Sequence, residues 1–525
     1  MPRSKKTKAS FPHDDQGRAI LGSAKEMTTW VKLCFEEQAK RKIPDDPFEH
    51  RFIDLRKCVL YISYPIGSKT PASQIFNLCD MADVVPGIKK IEGDSNYCYE
   101  VTLDIRLDGS LLYGNFFHYV KFRGTVNLDD ATVRSTFSCF KCLFDDPVYM
   151  QRTHLEGGFT FEQCEFSKGL VMSETVAGGI SAKFNNCIFK ERLSLRGVNL
   201  ANQRIANYSQ SIELTNSTVE NLSISRIRTD GIPVYIEKTT IHGMKMHDMN
   251  LDALLGFYQC VLDGIITTVL DENKKNNRIK RLLFHCCNFK AQYHIENSEI
   301  EKLSLTFDKI EDCGRFRLSQ SDVGEMIIGS TSLFGQMDII ENSISSVNME
   351  GTCVHGYLSF HGNDVKKYEN RQTLRLLKNE AIKVNDDVSA QQLYAEEMQH
   401  LLSDKSVSAW DKVSLWLNRV FSKFGESWVR AIIVTLGLSV VFTLLMLGLG
   451  SGKYMFDLSR EFIGLDAFVT VLLDSINVFS IPLFSDTIKE YDLNVFGQIL
   501  YFVIKVIVAY GSYQFAVAFR KHGRR

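Results

Sequence analysis

A triplet made of a small or polar residue, any residue, and a large apolar residue recurs along this chain at a spacing that leaves few folds open. Cys142-Leu143-Phe144, Thr153-His154-Leu155, Cys164-Glu165-Phe166, Glu174-Thr175-Val176, Cys187-Ile188-Phe189 and Val198-Asn199-Leu200 follow one another at steps of 10, 11 or 13 residues. Backwards the step continues through Ala131-Thr132-Val133, Lys121-Phe122 and Leu111. Forwards it resumes with Ser217-Thr218-Val219, Thr239-Thr240-Ile241, Met249-Asn250-Leu251 and Cys260-Val261-Leu262. After an insertion around the polar run DENKKNNRIKR it runs on through Cys287-Asn288-Phe289, Ser298-Glu299-Ile300, Asp308-Lys309-Ile310, Ser321-Asp322-Val323, Thr331-Ser332-Leu333, Asn342-Ser343-Ile344, Thr352-Cys353-Val354 and Asn363-Asp364-Val365.

A fixed short period without helical patterning predicts a β-solenoid, in which each short strand stacks on its equivalent one coil below. Strand alternation turns the first and third triplet positions inward together. The inward stack then contains Cys142, Cys164, Cys187, Cys260 and Cys287 beside the apolar axis. Two steps, about 22 residues, make one coil, so residues 111 to 365 predict roughly twelve coils and a rod of about 55 Å at ~4.8 Å per coil. The stretches FTFEQCEF and AKFNNCIF resemble those of pentapeptide-repeat and related right-handed β-helix proteins. The chain departs from the strict five-residue A-(D/N)-L-x-x consensus of that group.

The chain has 525 residues, 45% of them hydrophobic, and a formal charge of −1. That length predicts several domains, and the balanced charge argues against a nucleic-acid partner. Thirteen cysteines, several at inward positions, predict small reduced core residues rather than disulfides. Their odd number and the polar start MPRSKKTKASFPHDD argue against a cleaved signal peptide, so the β-helix is expected in the cytoplasm. Residues 1–100 predict a mixed α/β cap, since an open solenoid end exposes unpaired backbone. Within it, Met27, Trp30, Val31, Cys34 and Phe35 have helical spacing, and RFIDLRKCVLYISYP reads as strand-rich.

After the β-helix, assigned to residues 101–366, the pattern turns helical. Residues 367–427 predict a connector with apolar positions Leu374, Leu377, Ala381, Leu393, Met398 and Leu402. It ends in an amphipathic segment with Trp410, Val413, Leu417, Val420, Phe421 and Phe424 among basic residues, suited to lie on the inner leaflet. Residues 428–525 form the membrane domain. Residues 431–450 carry no charge, and at ~1.5 Å each they match a ~30 Å hydrocarbon core. Residues 495–519 form a second predicted span. Basic residues flank the pair (Lys412, Arg419, Lys423 and Arg430 before, Arg520, Lys521, Arg524 and Arg525 after), which puts both termini in the cytoplasm.

Between the spans, residues 462–484 are apolar but interrupted by Asp466, Asp474, Asn477 and Pro482, which predicts a re-entrant or interfacial segment. Span, re-entrant segment, span, together with YQFAVAFRK and the linker RLLKNEAIKVNDDVSAQQLYAEEM, resembles the channel-like domain of some bacterial membrane-associated pentapeptide-repeat proteins. The resemblance implies an inner-membrane protein that oligomerises, with a tetramer as one copy number. A single hairpin cannot enclose a pore. Potassium selectivity does not carry over, because SINVFSIPLF holds no glycine to build a carbonyl filter.

A charge inside a span is a functional candidate, and Lys505 sits ten residues into the second. It either lines or gates an oligomeric pore, or pairs with Asp474 within the hairpin. Asp474, Asn477, Ser480 and Gln498 are further pore-lining candidates, while Gln498, Ser512, Tyr513 and Gln514 also suit hydrogen bonds between helices. Enzyme chemistry finds little support. His242 and His247 lack a third ligand at metal spacing, and Cys286 and Cys287 fall on opposite strand faces. No phosphate-binding loop, nucleophile elbow or dinucleotide fingerprint occurs. The expected function is thus an oligomeric pore regulated by a cytoplasmic β-helix that binds an unknown ligand or protein, with no cofactor, metal or nucleic acid. The alternatives are a non-conducting membrane-anchored scaffold and a bacterial defence effector that permeabilises the inner membrane.

Overall fold

The computed structural model describes residues 7–21, 24–40, 52–61, 82, 85, 87–93, 96–113, 117–178, 181–200, 211–229, 231–269, 277–450, 465–477 and 493–522. The chain divides into two compact units, Met1–Lys367 and Tyr368–Arg525.

The first unit is a β-solenoid of about 11 turns between residues 99 and 368. One coil can be followed through Phe137–Phe140, Leu143–Phe144, Val148–Tyr149 and His154–Leu155, after which Gly158–Glu162 lies directly on Phe137–Phe140. Each of these short strands belongs to a different stacked sheet, so the coil has four sides. Leu143 pairs with Glu165 22 residues on, and Asn288 with Lys309 21 residues on, close to the period read from the triplets.

Two local rules set that period. The residue before most triplets adopts a left-handed conformation: Lys141, Arg152, Gln163, Glu174, Asn186, Lys238, Gln259, Cys286, Phe307, Ser330 and Glu341 all have φ between +49° and +56°. This turns the chain through a corner, at a cost of about 1–2 kcal/mol for each L-residue. The triplet then starts the next side with its first and third side chains inward. Cys142 and Phe144, Cys164 and Phe166, and Cys187 and Phe189 are buried, whereas Ile188 between the last pair is 43% exposed. Phe122, Phe144, Phe166 and Phe189 pile up as stacked rings with centroids 4.7 to 4.9 Å apart.

The predicted frame slips in places. The triplet after Glu174 is Thr175-Val176-Ala177, because Glu174 is itself the corner residue and Val176 pairs with His154. Likewise the triplet at the start is Ser110-Leu111-Leu112, with Leu112 rather than Leu111 at the inward third position. Residues 277–281, taken as part of an insertion, belong to the strand Asn277–His285. The side that carries His154–Leu155 has its last strand at Asn199–Leu200 and a final parallel bridge from Asn199 to Arg228. From Asn250 onwards its triplets open nine-residue strands, Asn250–Tyr258, Asn277–His285 and Ser298–Thr306, whose register shifts between Leu251 and Leu254 where the corner used to be.

The stacking begins ahead of residue 99. Ala19–Leu21 and Cys58–Tyr61 lie parallel beneath Leu111–Tyr113, and Phe52–Asp54 beneath Asp104–Arg106. Helix α1 (Ala24–Lys40) closes that end. Its Trp30 Nε1 donates to the Asp54 carbonyl, and Gln38 exchanges two hydrogen bonds with the Phe52 backbone. Edge-strand groups are thereby satisfied by side chains of the cap.

Outside, ion pairs link successive coils: Arg134–Glu156, Lys168–Asp146, Lys190–Glu165, Arg278–Glu299 and Lys302–Glu325. Such exposed pairs each contribute little.

The second unit is helical. Helices α2 (Arg371–Lys383), α3 (Asp387–Ser403) and α4 (Ala409–Ser422) start at Asn370, Asp386 and Ser408, whose side chains accept from Thr373, Ser389 and Asp411 N–H. Helix α5 (Trp428–Gly450) and helix α7 (Val495–His522) are the two long apolar ones, with the short α6 (Leu465–Ile476) packed against both. By length and composition Trp428–Leu449 and Val495–Arg520 could each cross a membrane, and most of each is not buried within the protein.

Candidate functional site in the helical unit

Helices α5 and α7 approach closely because small residues face each other. Thr435, Ser439 and Thr443 recur every fourth residue on α5 and are buried. A Cβ on Gly511 of α7 would fall 2.0 Å from Thr435 Oγ1, so only glycine fits this crossing. Thr435 and Ser439 hydroxyls return to their own helix, donating to the carbonyls of Ala431 and Thr435. Buried Thr443 Oγ1 and Ser475 Oγ have no partner among the described residues. Below the crossing, Ser422 Oγ donates to Gln514 Oε1 and Phe421 meets the Tyr510 ring edge-on, which fastens α4 to α7.

Toward the other end, Met446, Leu447, Val471, Leu493, Tyr501, Ile504 and Val508 form one apolar cluster shared by the three helices. Lys505 lies at its edge, 7% exposed, and its ammonium donates to the Asp474 carbonyl and, at 2.9 Å, to the Asn477 carbonyl. Those carbonyls end α6. The last carbonyls of a helix carry the negative end of its dipole and are short of internal partners, so a cation there suits both. The Asp474 carbonyl also accepts the Asn477 N–H of the closing turn at 3.1 Å. One turn earlier on α7, Tyr501 donates its hydroxyl to Asp474 Oδ2 at 2.5 Å, and its ring lies 5.2 Å from the Lys505 ammonium.

The structure thus brings three of the candidate residues together, Lys505, Asp474 and Asn477, with Lys505 engaged by the α6 backbone. Gln498 stands apart in the first turn of α7, exposed, with its amide on the Leu493 carbonyl. Ser480 lies outside the described residues, as do 462–464 and 478–484 of the expected re-entrant segment; its described part is α6 and Asn477. Ser512 and Tyr513 are exposed, whereas Gln514 makes the expected link between helices. Tyr501 was not singled out from sequence, although its position four residues before Lys505 puts both on one helix face.

Two further polar centres escaped the sequence reading. In the α2–α3 hairpin, Glu397 is buried and receives Arg371, Arg375 and Lys378 at 3.3, 2.7 and 2.6 Å. Burial pushes its carboxyl up, but the hydrogen bonds from Lys378 and Arg375 outweigh this and hold it below the ordinary glutamate value. The spacing of Arg371, Arg375 and Lys378 along one helix face was the available signal. In the solenoid wall, Asp308 is the one acid at a first triplet position that is otherwise filled by Cys, Ser, Thr or Asn and, at Ala131, Val198 and Met249, by an apolar residue.

The inward cysteines Cys142, Cys164, Cys187, Cys260 and Cys287 are all free and buried. Their thiols donate to the carbonyls of Phe117, Cys139, Phe161, Ile236 and Phe257 one coil back. Burial raises the thiols of Cys142, Cys164 and Cys187 well above the ordinary range, which keeps them protonated and able to donate. Among the described residues, no group of three or more His, Cys, Asp or Glu side chains could hold a metal ion. Comparison of the chain with protein-family models, curated proteins and solved structures finds no match to any of them.

Proposed function

We propose that the chain is a membrane protein whose C-terminal helices assemble from several copies into a pore, and whose β-solenoid acts as the cytoplasmic sensor or scaffold that regulates it. In this reading α5 and α7 span the bilayer with both termini on the cytoplasmic side, and α6 enters it partway. The observation that carries the reading is the contact of Lys505 with the end of α6. A lysine kept deep between apolar helices, on the carbonyl terminus of a short third helix, suits an element that moves or admits charge better than a plain anchor. The exposed apolar surface of α5 and α7, including Ile433, Leu436, Ile499 and Phe502, supports lipid contact.

Helix α4 fits the same placement. Trp410, Val413 and Trp416 are exposed along it, with Lys412, Arg419 and Lys423 nearby, the composition of a helix lying in the headgroup region. A bacterial defence effector that depolarises the inner membrane is a special use of the same pore. The anchored, non-conducting scaffold is the second reading, and the tight α5–α7 crossing at Gly511 and Thr435, which leaves no room between these two helices, favours it.

The deciding experiment reconstitutes the full-length protein in planar bilayers beside Lys505→Met, with alkaline carbonate extraction of membranes as the control. Discrete currents whose conductance or gating changes in Lys505→Met support the pore. Carbonate-resistant protein that stays silent over its whole tested range of pH and voltage points to the scaffold. Release by carbonate overturns membrane insertion itself.

A further inference from the structure

The inward polar residue of a triplet has up to two tasks in linking coils, and Thr239, Asn342 and Asn363 perform both. Its side chain accepts the backbone N–H of the equivalent residue one coil back: Ser217 from Cys187, Thr239 from Ser217, Asn342 from Ser321, Asn363 from Asn342. It also donates to a carbonyl some 24 to 26 residues back: Thr153 to Leu128, Thr239 to Leu214, Thr331 to Leu305, Asn342 to Leu318, Asn363 to Ile339. Asn342 and Asn363 divide the tasks between amide oxygen and amide nitrogen. Asp308 occupies the same slot, buried at 2% exposure, and does only half the work. Its Oδ1 accepts the Cys287 N–H at 2.6 Å, and its buried Oδ2 has no partner. The carbonyl due to receive a donor from Oδ2 follows from the register. Cys287 serves Phe257 and Thr331 serves Leu305, and Phe257, Phe284 and Leu305 pair in succession, so the acceptor opposite Asp308 is the Phe284 carbonyl, which the Thr306 hydroxyl already reaches at a long 3.4 Å.

We infer that Asp308 is a proton-operated latch in the solenoid wall: with a proton on Oδ2 it bridges two coils as an asparagine does, and without it the wall is weakened at this one level. An ionised carboxylate has only lone pairs to offer a carbonyl oxygen, so the contact turns from attraction to repulsion. Burial supplies the bias toward the proton, pushing the carboxyl up to about 7, against two backbone N–H groups, those of Cys287 and Thr306, that favour the ion. No cation faces it. The coil below presents the Cys287 thiol, kept protonated by its bond to Cys260 and by burial, and the coil above presents the Thr331 hydroxyl. His285, Cys286 and Lys309 belong to the outer face or the corner, and His285 is engaged with Thr306 Oγ1. The folded value lies above the ordinary ~3.9 of an unfolded aspartate. The stabilisation is therefore complete below about pH 4 and is lost as pH climbs toward and through 7.

The test is hydrogen exchange by mass spectrometry on the full-length protein at pH 5.5 and 8.5, corrected for intrinsic rates. The wild type should lose at least tenfold protection in peptides covering 284–288 and 305–310 on going to pH 8.5, while coils around Cys142 and Cys164 keep theirs. Asp308→Asn should abolish that difference, and Asn342→Asp should create a new one around Ser321 and Leu318. Equal protection of the wild type at both pH values, an unchanged pH difference in Asp308→Asn, or no new difference in Asn342→Asp would each overturn the latch. The converse variant keeps the test intact should Asp308→Asn fail to fold.

Discussion

Replacing Lys505 by methionine separates what its ammonium does for α6 from what it does for ions. The substitution keeps the aliphatic stem against the Tyr501–Ile504 cluster and deletes only the charge and its donors. Two hydrogen bonds to the carbonyls of Asp474 and Asn477 disappear. Bonds from a charged donor contribute about 1.5–3 kcal/mol each, and returning a buried ammonium to water recovers part of that. Asn477 is exposed and its carbonyl can find water, whereas Asp474 is only partly exposed, so the net loss is about 2–3 kcal/mol in the docking of α6. That corresponds to a roughly 30- to 150-fold rise in the population with α6 released. Hydrogen exchange of the amides in 470–477, in detergent-solubilised or reconstituted full-length protein, reads it directly. Lys505→Arg should retain most of the protection. Unchanged exchange in Lys505→Met would refute the view that the lysine holds α6; a simultaneous change in conductance would then assign its charge to the ion path alone.

Other expectations concern both units. Phe166→Ala removes the middle of the stacked rings and should cost about 3–5 kcal/mol in chemical denaturation, Phe166→Leu under half of that, and a loss below 1.5 kcal/mol for the alanine would contradict a close-packed axis. Ser330, left-handed at φ +52°, should gain roughly 0.5–1 kcal/mol as glycine and lose about 1–2 kcal/mol as valine, seen as opposite shifts of the melting midpoint. Glu397→Gln should destabilise the helical unit by about 2–3 kcal/mol at neutral pH, because three cations lose their counter-charge. The carboxyl is held below its unfolded value of ~4.3, so its contribution is present above that pH and lost as pH falls through the folded value. The acid-side slope of stability should accordingly flatten in the glutamine variant.

The coil was legible because burial in a solenoid is periodic in sequence as well as in space. Cys142, Cys164 and Cys187 could be placed inward from their spacing alone, and all three are buried. The frame slipped at Glu174 because the corner conformation is carried by the backbone, and residues as different as Lys141, Phe307 and Ser330 adopt it. Loss of the separate fourth side after Arg228 was equally hidden, since the triplets persist while the corner between them straightens. In the helical unit, apolar length marked α5 and α7 plainly. The partner of Lys505 did not follow from spacing, because it is the backbone at the end of α6, and a carbonyl leaves no trace in side-chain chemistry. Asp308 was visible as the odd letter in a column; its meaning required the carbonyl that the register sets opposite.

The coil-to-coil hydrogen bonds of the solenoid run along its axis, while the chain itself runs across it. Tension applied through the two ends of such an object peels it one coil at a time instead of shearing all strands together. Each coil of about 22 residues, released at ~3.3 Å per residue, yields roughly 70 Å of cord in exchange for ~5 Å of rod. Under load the first unit would therefore behave as a spooled tether, paying out length in nearly equal increments, with a longer one where Ile188 is followed on its side by Thr218, 30 residues later.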